Sequence, residues 1–388
     1  MRMAFLAAIY GLVAGIIAAI VLWLMGLVSG LVWSGPDAGW YIFLMITAGG
    51  ALIAALRHIH DGEDLAAQIT EMRDPKAKAR KATLIMAAMA IVAVGFGGAI
   101  GPEAGILAVV ETLSILIGYR LAHSNAEARM LAESGVAGAL GGLYGSPPAG
   151  AAIAQEHPEA PRWQLYLAAL TGLFGFLFTT NHLLPEASLR ISLPEYAPIQ
   201  NGSDILFSVV PALLGAAAGL AFVILLPALK AFLNGLGNTV VQTMVGTLIF
   251  AALASTWPIL RFSGHHELEA MLEWGSQSGM AALLGLSLLK ALALALCLAA
   301  GWRGGAAFPL LFIGAAAGGA VLWVMPDLPP TPALVAGMVA ALSAGMGKPL
   351  AAVLIAFLIL GGAAVGPLCV GAGIGWAASR LVPKAEMH

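Results

Sequence analysis

Polar residues are confined to short breaks in a chain that is otherwise apolar. In the first half, apolar stretches cover 3–33, 40–56, 83–100, 106–121 and 163–180. In the second they cover 205–226, 239–257, 280–300, 308–325, 331–345, 349–360 and 366–381. A helix needs about 20 apolar residues to cross the hydrocarbon of a bilayer. The longest stretches therefore predict membrane-crossing helices. The first of them is too long for the core of a secretory signal and leads into further apolar segments, so it predicts the first membrane helix. Several other stretches are short, and several are broken by Gly and Pro. Lipid leaves no backbone polar group unsatisfied at low cost, so broken helices persist where they are buried or line water. Paired, interrupted segments of this kind point to a transport site.

Composition sharpens this picture. The chain has 388 residues, of which 60% are hydrophobic and 10% charged, against about a quarter charged in a soluble domain. That is too little charge to cover a water-facing surface and enough for a lipid-facing one. The net charge of −2 says nothing of partners. No basic tract resembles a nucleic-acid arm, so no nucleic-acid partner is expected. Cys297 and Cys369 both lie in apolar stretches and read as small buried side chains, not as a disulfide or metal framework. The clearest polar loop spans 57–81 and carries Arg73, Lys76, Lys78, Arg80 and Lys81. By the positive-inside rule it faces the cytoplasm.

A Pro-rich polar stretch at 184–204 divides the chain into similar halves, expected as repeats over residues 1–190 and 191–388 of one membrane domain. Gly145-Ser-Pro-Pro-Ala-Gly-Ala-Ala-Ile-Ala154 aligns with Gly347-Lys-Pro-Leu-Ala-Ala-Val-Leu-Ile-Ala356. Such repeats in transporters flank a site at the membrane midplane. Gly215-Ala-Ala-Ala-Gly219 and Gly314-Ala-Ala-Ala-Gly318 have the spacing of close helix packing.

Three segments carry candidate chemistry. In Gly97-Gly-Ala-Ile-Gly-Pro-Glu-Ala-Gly105 a glycine break precedes a helix, with Pro102 at a helix-starting position. The free amides and dipole of that helix end would attract an anion. Glu103 sits at the same end. Its carboxylate either fills the anion site when no anion does, or merely caps its own helix. Gly301-Trp-Arg-Gly-Gly-Ala-Ala-Phe-Pro309 repeats the design, with the amides of Ala306 and Ala307 at a second helix start, or is a plain turn. The third is Glu156-His157 at the end of the helix after Gly145. It reads as a surface helix end or as a titratable step on a proton route.

These elements, in this order, resemble the CLC chloride channel and transporter family. Gly101-Pro-Glu-Ala-Gly105 resembles its first signature, in which a glutamate starts a helix after a glycine; the resemblance gives Glu103 the gating role. Gly145-Ser-Pro-Pro-Ala-Gly150 resembles the Asn-Ala-Pro-Leu-Ala-Gly segment that leads to an acidic pair. Glu156 then matches the first acid, and His157 falls where proton-coupled members often have an inner glutamate. The stretch from Cys297 to Pro309 resembles the one ending in Gly-x-Phe-x-Pro. The family implies an all-α integral membrane protein, a CLC-like inverted-repeat bundle with broken and half-membrane helices. It implies a homodimer in the lipid bilayer, with one pathway per subunit, in a bacterial inner membrane. No cofactor, no metal and no enzymatic activity are implied. The expected activity is movement of small inorganic anions, chloride first, by proton-coupled exchange. Gly101, Ala104, Gly105, Ala306 and Ala307 hold the anion, and Glu103, Glu156 and His157 form the proton pathway. A passive, pH-gated channel is the alternative.

The chain departs from the family in three places. The family's serine before its first half-helix is replaced by His58-Ile-His-Asp-Gly-Glu-Asp64. With Asp61 in that place a carboxylate would repel the anion, so either this loop sits elsewhere or the inner site differs. The late tyrosine has no match, and the family's last helix is expected to be absent or vestigial. The inner glutamate is His157. The His58–Asp64 cluster suits a transition metal by residue type but reads first as solvated loop. An intramembrane serine protease is disfavoured because Ser134 lacks a glycine two residues before it and His265 and His266 lie in a polar stretch. Lys290, inside an apolar run, either snorkels, pairs with carbonyls or lends potential to an anion path. Glu111, two turns past Glu103, is left open.

Overall fold

A computed structural model describes residues 2–61, 75–154, 162–184, 193–197, 202–360 and 364–382. Among them the chain is helical throughout, with a single isolated β-bridge. In the first half the helices are α1 (Arg2–Val32), α2 (Gly39–Asp61), α3 (Pro75–Gly95), α4 (Glu103–Leu121), α5 (Asn125–Leu143), α6 (Pro147–Ala154) and α7 (Arg162–His182). The second half holds α8 (Ser203–Phe207), α9 (Val209–Asn234), α10 (Thr239–Thr256), α11 (Leu268–Ser278), α12 (Met280–Ala299), α13 (Ala307–Gly319), α14 (Pro330–Met346), α15 (Pro349–Ile359) and α16 (Val365–Ser379). Among the described residues, six helical segments are long and apolar enough to cross a membrane: Arg2–Val32, Gly39–Ile59, Trp163–His182, Ser203–Asn234, Thr239–Thr256 and Met280–Ala299. Others, such as α13 and α14, are apolar but shorter.

Packing repeats between the halves. Helix α1 lies on α7, α5 and α3, as α9 lies on α16, α14 and α12. The sequence α3–α4–α5–α6 has its counterpart in α12–α13–α14–α15, each helix on its neighbour. The halves join where α2 packs on α10 and α6 on α15. Gly145 and Gly347, both with positive φ (61° and 63°), turn the chain into the Pro-initiated helices α6 and α15. Only glycine adopts that conformation at little cost. Ser146 donates to the Leu354 carbonyl across this junction at 2.9 Å.

The small-residue stripes are helix contacts within the chain, as the sequence suggested. A Cβ on Gly215 or Gly314 would overlap the backbone of Gly337, and one on Gly219 the backbone of Ala341. In the first half Gly11, Gly138 and Gly172 meet in the same manner. Without a hydrophobic drive between helices in lipid, such close approach supplies the van der Waals contact that holds them.

Several details differ from the sequence reading. The 57–81 loop is narrower: α2 runs on through Asp61, and α3 begins at Pro75. Arg57 is half-buried, donating to Thr243 Oγ1 at 2.8 Å and the Ala300 carbonyl at 2.9 Å. Cys297 is buried, but Cys369 is exposed, because Leu368 and Ala372 take the inward face of α16. Helices α5 and α11 escaped the apolar pattern; α5 carries Glu127, Arg129 and Glu133, and α11 is amphipathic, with Leu268 and Met271 buried. The expected 308–325 helix ends at Gly319 and tightens into a 3₁₀ turn, Ala320–Trp323.

The helices fix two faces. Arg2 donates to the Leu121 carbonyl at 2.6 Å, so α1 starts where α4 ends. The far end of α1 meets the start of α2, where Tyr41 donates to the Val32 carbonyl. Arg57, at the returning end of α2, lies beside the start of α10. Helix α3, which ends at Gly95 beside Trp33, starts on this Arg2–Arg57 side, the inner face. Connections 33–38 and 257–267 lie toward the outer face.

Candidate functional site

The two glycine breaks meet in the interior. Gly97 and Gly301 both have positive φ (81° and 87°). The Gly98 amide turns back to the Ala93 carbonyl at 2.9 Å, and the Trp302 amide to that of Cys297 at 2.9 Å. Gly101 and Gly305 then pair as an antiparallel bridge, with N–H···O distances of 2.7 and 2.8 Å. This bridge sets the first turns of α4 and α13 against one another. The first turn of α4 closes with the Ile106 amide on the Pro102 carbonyl, and that of α13 with the Leu310 amide on the Ala306 carbonyl. The amides ahead of these have no carbonyl in their own helix.

Glu103 fills the space between. It is 4% exposed, and its Oε1 accepts from the Phe308 amide at 3.4 Å. The Ala307 amide and that of Glu103 itself also act on the carboxylate. Oε2 has no hydrogen-bond partner. A Cβ on Gly101 or on Gly305 would overlap the carboxylate, so both positions must be bare. Gly105 lies against Met25 and Ala90, where a Cβ would crowd both. A carboxylate thus lies at two converging helix N-termini, an arrangement with a preference for negative charge.

The structure gathers Gly101, Glu103, Ala104, Gly105, Ala306 and Ala307 into one place. One of these expectations needs correction: the Gly101 amide is committed to Gly305, so Gly101 contributes room and not a free donor. Phe308 was missed as a donor, although it sits in the same first turn. Tyr144 was also missed. It is 5% exposed, its ring 6.0 Å from that of Phe308, and its hydroxyl is electrostatically coupled to Glu103. It stands directly before the Gly145 turn, a signal that could have found it. Glu156 and His157 lie outside the described residues, as do positions 62–64 of the His58–Asp64 cluster. No group of three metal-type side chains occurs among the described residues. Ser134 back-bonds to the Met130 carbonyl of its own helix at 2.7 Å.

Of the readings open for Lys290, the carbonyl pairing is the one observed. It is fully buried and donates to the carbonyls of Ile259, Leu260, Arg261 and Phe262 at 3.3, 3.1, 2.9 and 2.9 Å. The side chain lies 5.0 Å from the Phe312 ring centroid. Glu111 is exposed on α4. A cavity of about 320 Å³ opens beside Pro102, walled by α1 from Leu22 to Ser29 and by Phe262, Ser263, His265, His266 and Glu267.

A family model described as "Voltage gated chloride channel" matches residues 62–380. The putative ion-transport protein YfeO of Escherichia coli (strain SMS-3-5 / SECEC) is 28% identical over 344 residues, covering 84% of this chain and 79% of that protein. Its counterpart in Shigella flexneri is 29% identical over 346 residues, with the same coverage, 84% and 79%. Among solved structures, a CLC-type fluoride/proton antiporter superposes with a TM-score of 0.76 at 18% identity, over 98% of this chain and 95% of that one. A slow cyanobacterial Cl⁻/H⁺ antiporter gives 0.74 at 19% identity, with the same coverage, 98% and 95%.

Proposed function

The chain belongs to the voltage gated chloride channel (CLC) family, and from that premise we propose that it exchanges small inorganic anions for protons, with Glu103 as the gate. It is a multi-pass membrane transporter, not an enzyme. The observation that carries the gating reading is the carboxylate of Glu103 seated at the amides of Ala307 and Phe308. An anion needs the same donors, so carboxylate and anion compete for one place. Free amides at Ala104 and Gly105, and at Ala306 and Ala307, would hold the anion once the side chain leaves. Protonation removes the charge that keeps the carboxylate there. One proton on Glu103 therefore makes room for one anion, which couples the two fluxes.

Chloride is the first anion to test, and the two structural neighbours named for fluoride and chloride set the range. Glu156 and His157 are the proposed inner steps for the proton. A homodimer in a bacterial inner membrane, with the repeats divided near residue 190, completes the proposal. A passive channel gated by Glu103 is the second reading, favoured by the histidine at the inner acid's place.

The test is anion efflux from proteoliposomes with internal pH followed alongside, for the wild type and Glu103→Gln. Coupled proton movement in the wild type, lost in the variant while anions still pass, supports the exchanger. Anion flux without proton movement in the wild type turns the reading to the channel. Unchanged coupling in Glu103→Gln removes Glu103 from the gate.

A further inference from the structure

The cavity beside Pro102 lies between Glu103 and the outer face. Its α1 wall, Leu22 to Ser29, belongs to the last turns of that helix before the outer 33–38 connection. Val94, Ile100 and Pro102 form its floor, and Glu103 follows Pro102 directly. The opposite wall is the 261–267 loop. This loop is not apolar, although it dips among membrane helices. It presents Ser263, His265, His266 and Glu267 to the cavity.

Two atoms in that wall lack partners. His265 Nε2 and Glu267 Oε2 are both enclosed without a hydrogen bond. A buried polar atom left unpaired loses its hydration without compensation, so each such group calls for an explanation, among which are a catalytic role and an ordered water. The other nitrogen of His265, Nδ1, is paired with the Ser263 hydroxyl at 2.5 Å. That contact orients the ring and leaves Nε2 as the open position. The ring lies 5.3 Å from Phe308, whose amide binds Glu103, and 3.9 Å from the ring of His266.

The loop is also held in place. The Lys290 ammonium binds four consecutive carbonyls, from Ile259 to Phe262, immediately ahead of Ser263. Phe262 takes a positive φ of 57°, unusual for a bulky residue. Such strain persists when its surroundings fix it, and its amide is bonded to the Gly97 carbonyl at 3.2 Å. A solvated surface turn needs none of these anchors.

The geometry points to His265 as a second protonation site, the step that passes protons between outer water and Glu103. This rests on the reading of Glu103 as gate. In the inward step a proton from outer water adds to Nε2, and the imidazolium then donates from Nδ1 to Ser263 Oγ. The proton leaves Nε2 for a cavity water, and that water gives one proton to the Glu103 carboxylate. Charge and atoms balance, and no electron moves. Burial, with His266 and Lys290 beside it, pushes the His265 imidazolium down to about 3, so the ring holds a proton only in passage. The charged and titratable groups beside it are His266 and Glu267 on its own loop and Lys290 from α12; Glu103 follows Pro102, which lines the cavity. Arg261, stacked 4.5 Å from the Trp33 ring centroid and coupled to Asp37, lies at the rim. The sequence had passed over these histidines because a His-His-Glu run between apolar stretches looks like a solvated turn.

The experiment varies pH on one side at a time in oriented proteoliposomes and follows anion flux and proton flux. The variants are His265→Gln, Ser263→Ala and Glu103→Gln. His265→Gln is expected to lose the response to outer pH while responding to inner pH, with slowed proton uptake from the outer side. Ser263→Ala, which keeps the imidazole but frees its ring, is expected to shift the outer-pH midpoint without abolishing the response. A wild-type-like response to outer pH in both variants overturns the proposal for His265 and leaves Glu103 standing. A wild type that ignores pH on both sides overturns the Glu103 reading and this one with it. Should His265→Gln fail to fold, the Ser263→Ala midpoint decides: a shift supports the relay, and no shift overturns it.

Discussion

Glu103 and Lys290 are enclosed side chains, one acidic and one basic, and both are held by main chain. Amides of α13 hold the carboxylate, and carbonyls of the 259–262 segment hold the ammonium. An ionised side chain in the membrane is costly and persists where it has work to do. Lys290→Met would keep the side-chain volume and leave four carbonyls without their donor. Unpaired buried polar groups cost about 1–3 kcal/mol, so a lowered melting temperature in detergent is expected. The 259–267 loop should also become more open to proteolysis. Gly305 gives a second residue-scale prediction. A Cβ there would occupy the place of the Glu103 carboxylate. Gly305→Ala should therefore push the side chain out, and anion flux should lose most of its pH dependence, as in Glu103→Gln. A pH profile like that of the wild type would mean that the carboxylate does not need this place. Glu103 itself was legible in the sequence, because it is a lone acid after a glycine break in apolar chain. Tyr144, Phe308 and His265 were not. Their types are ordinary in a core or a turn, and only their convergence on Glu103 marks them.

Elements were legible in proportion to their apolar length. The spans α1, α2, α7, α9, α10 and α12 follow from hydropathy, since burial in lipid demands little else of a sequence. Helices α5 and α11 were hidden because charged side chains interrupt their apolar pattern: Glu127 of α5 pairs with Arg2, and Glu269 and Glu273 of α11 are exposed. The half-helices were visible through punctuation: Gly97, Gly145, Gly301 and Gly347 each stand at a break and each take positive φ. What the punctuation did not reveal is that the breaks at Gly101 and Gly305 pair with one another. Close packing was legible as small-residue spacing, and it supports a prediction at this scale. Gly337 touches both Gly215 of α9 and Gly314 of α13. Overpacking a filled contact costs about 1–3 kcal/mol or more. Gly337→Leu would hold three helices apart. It is expected to lower the yield of folded protein and the melting temperature sharply, while Gly373→Leu, where a Cβ meets nothing within 4 Å, should do neither.

At the scale of the whole molecule, the repeat places the two ends of the path in different electrostatic surroundings. The inner face carries Arg2, Arg57 and Lys230. The outer vestibule carries His265, His266 and Glu267. Positive charge at the inner mouth raises the local concentration of anions, and titratable groups at the outer mouth handle protons. This division holds only if the basic face is cytoplasmic, as the positive-inside rule requires. Sided labelling of single cysteines decides it, on a Cys369→Ser background because Cys369 is exposed while Cys297 is buried. Asp37→Cys, in the exposed connection between α1 and α2, should react in intact bacterial cells with a membrane-impermeant maleimide. Leu236→Cys, in the exposed connection between α9 and α10, should react only after permeabilisation. The two connections are bound to opposite faces because α2 and α10 pack antiparallel, with Gly39 against Ser255 at one end and Arg57 against Thr243 at the other. Labelling of Asp37→Cys and Leu236→Cys from the same side would break that arrangement and the inverted repeat with it. Labelling of the pair with sides exchanged would keep the fold and turn the vestibule inward, so His265 would then answer to cytoplasmic pH.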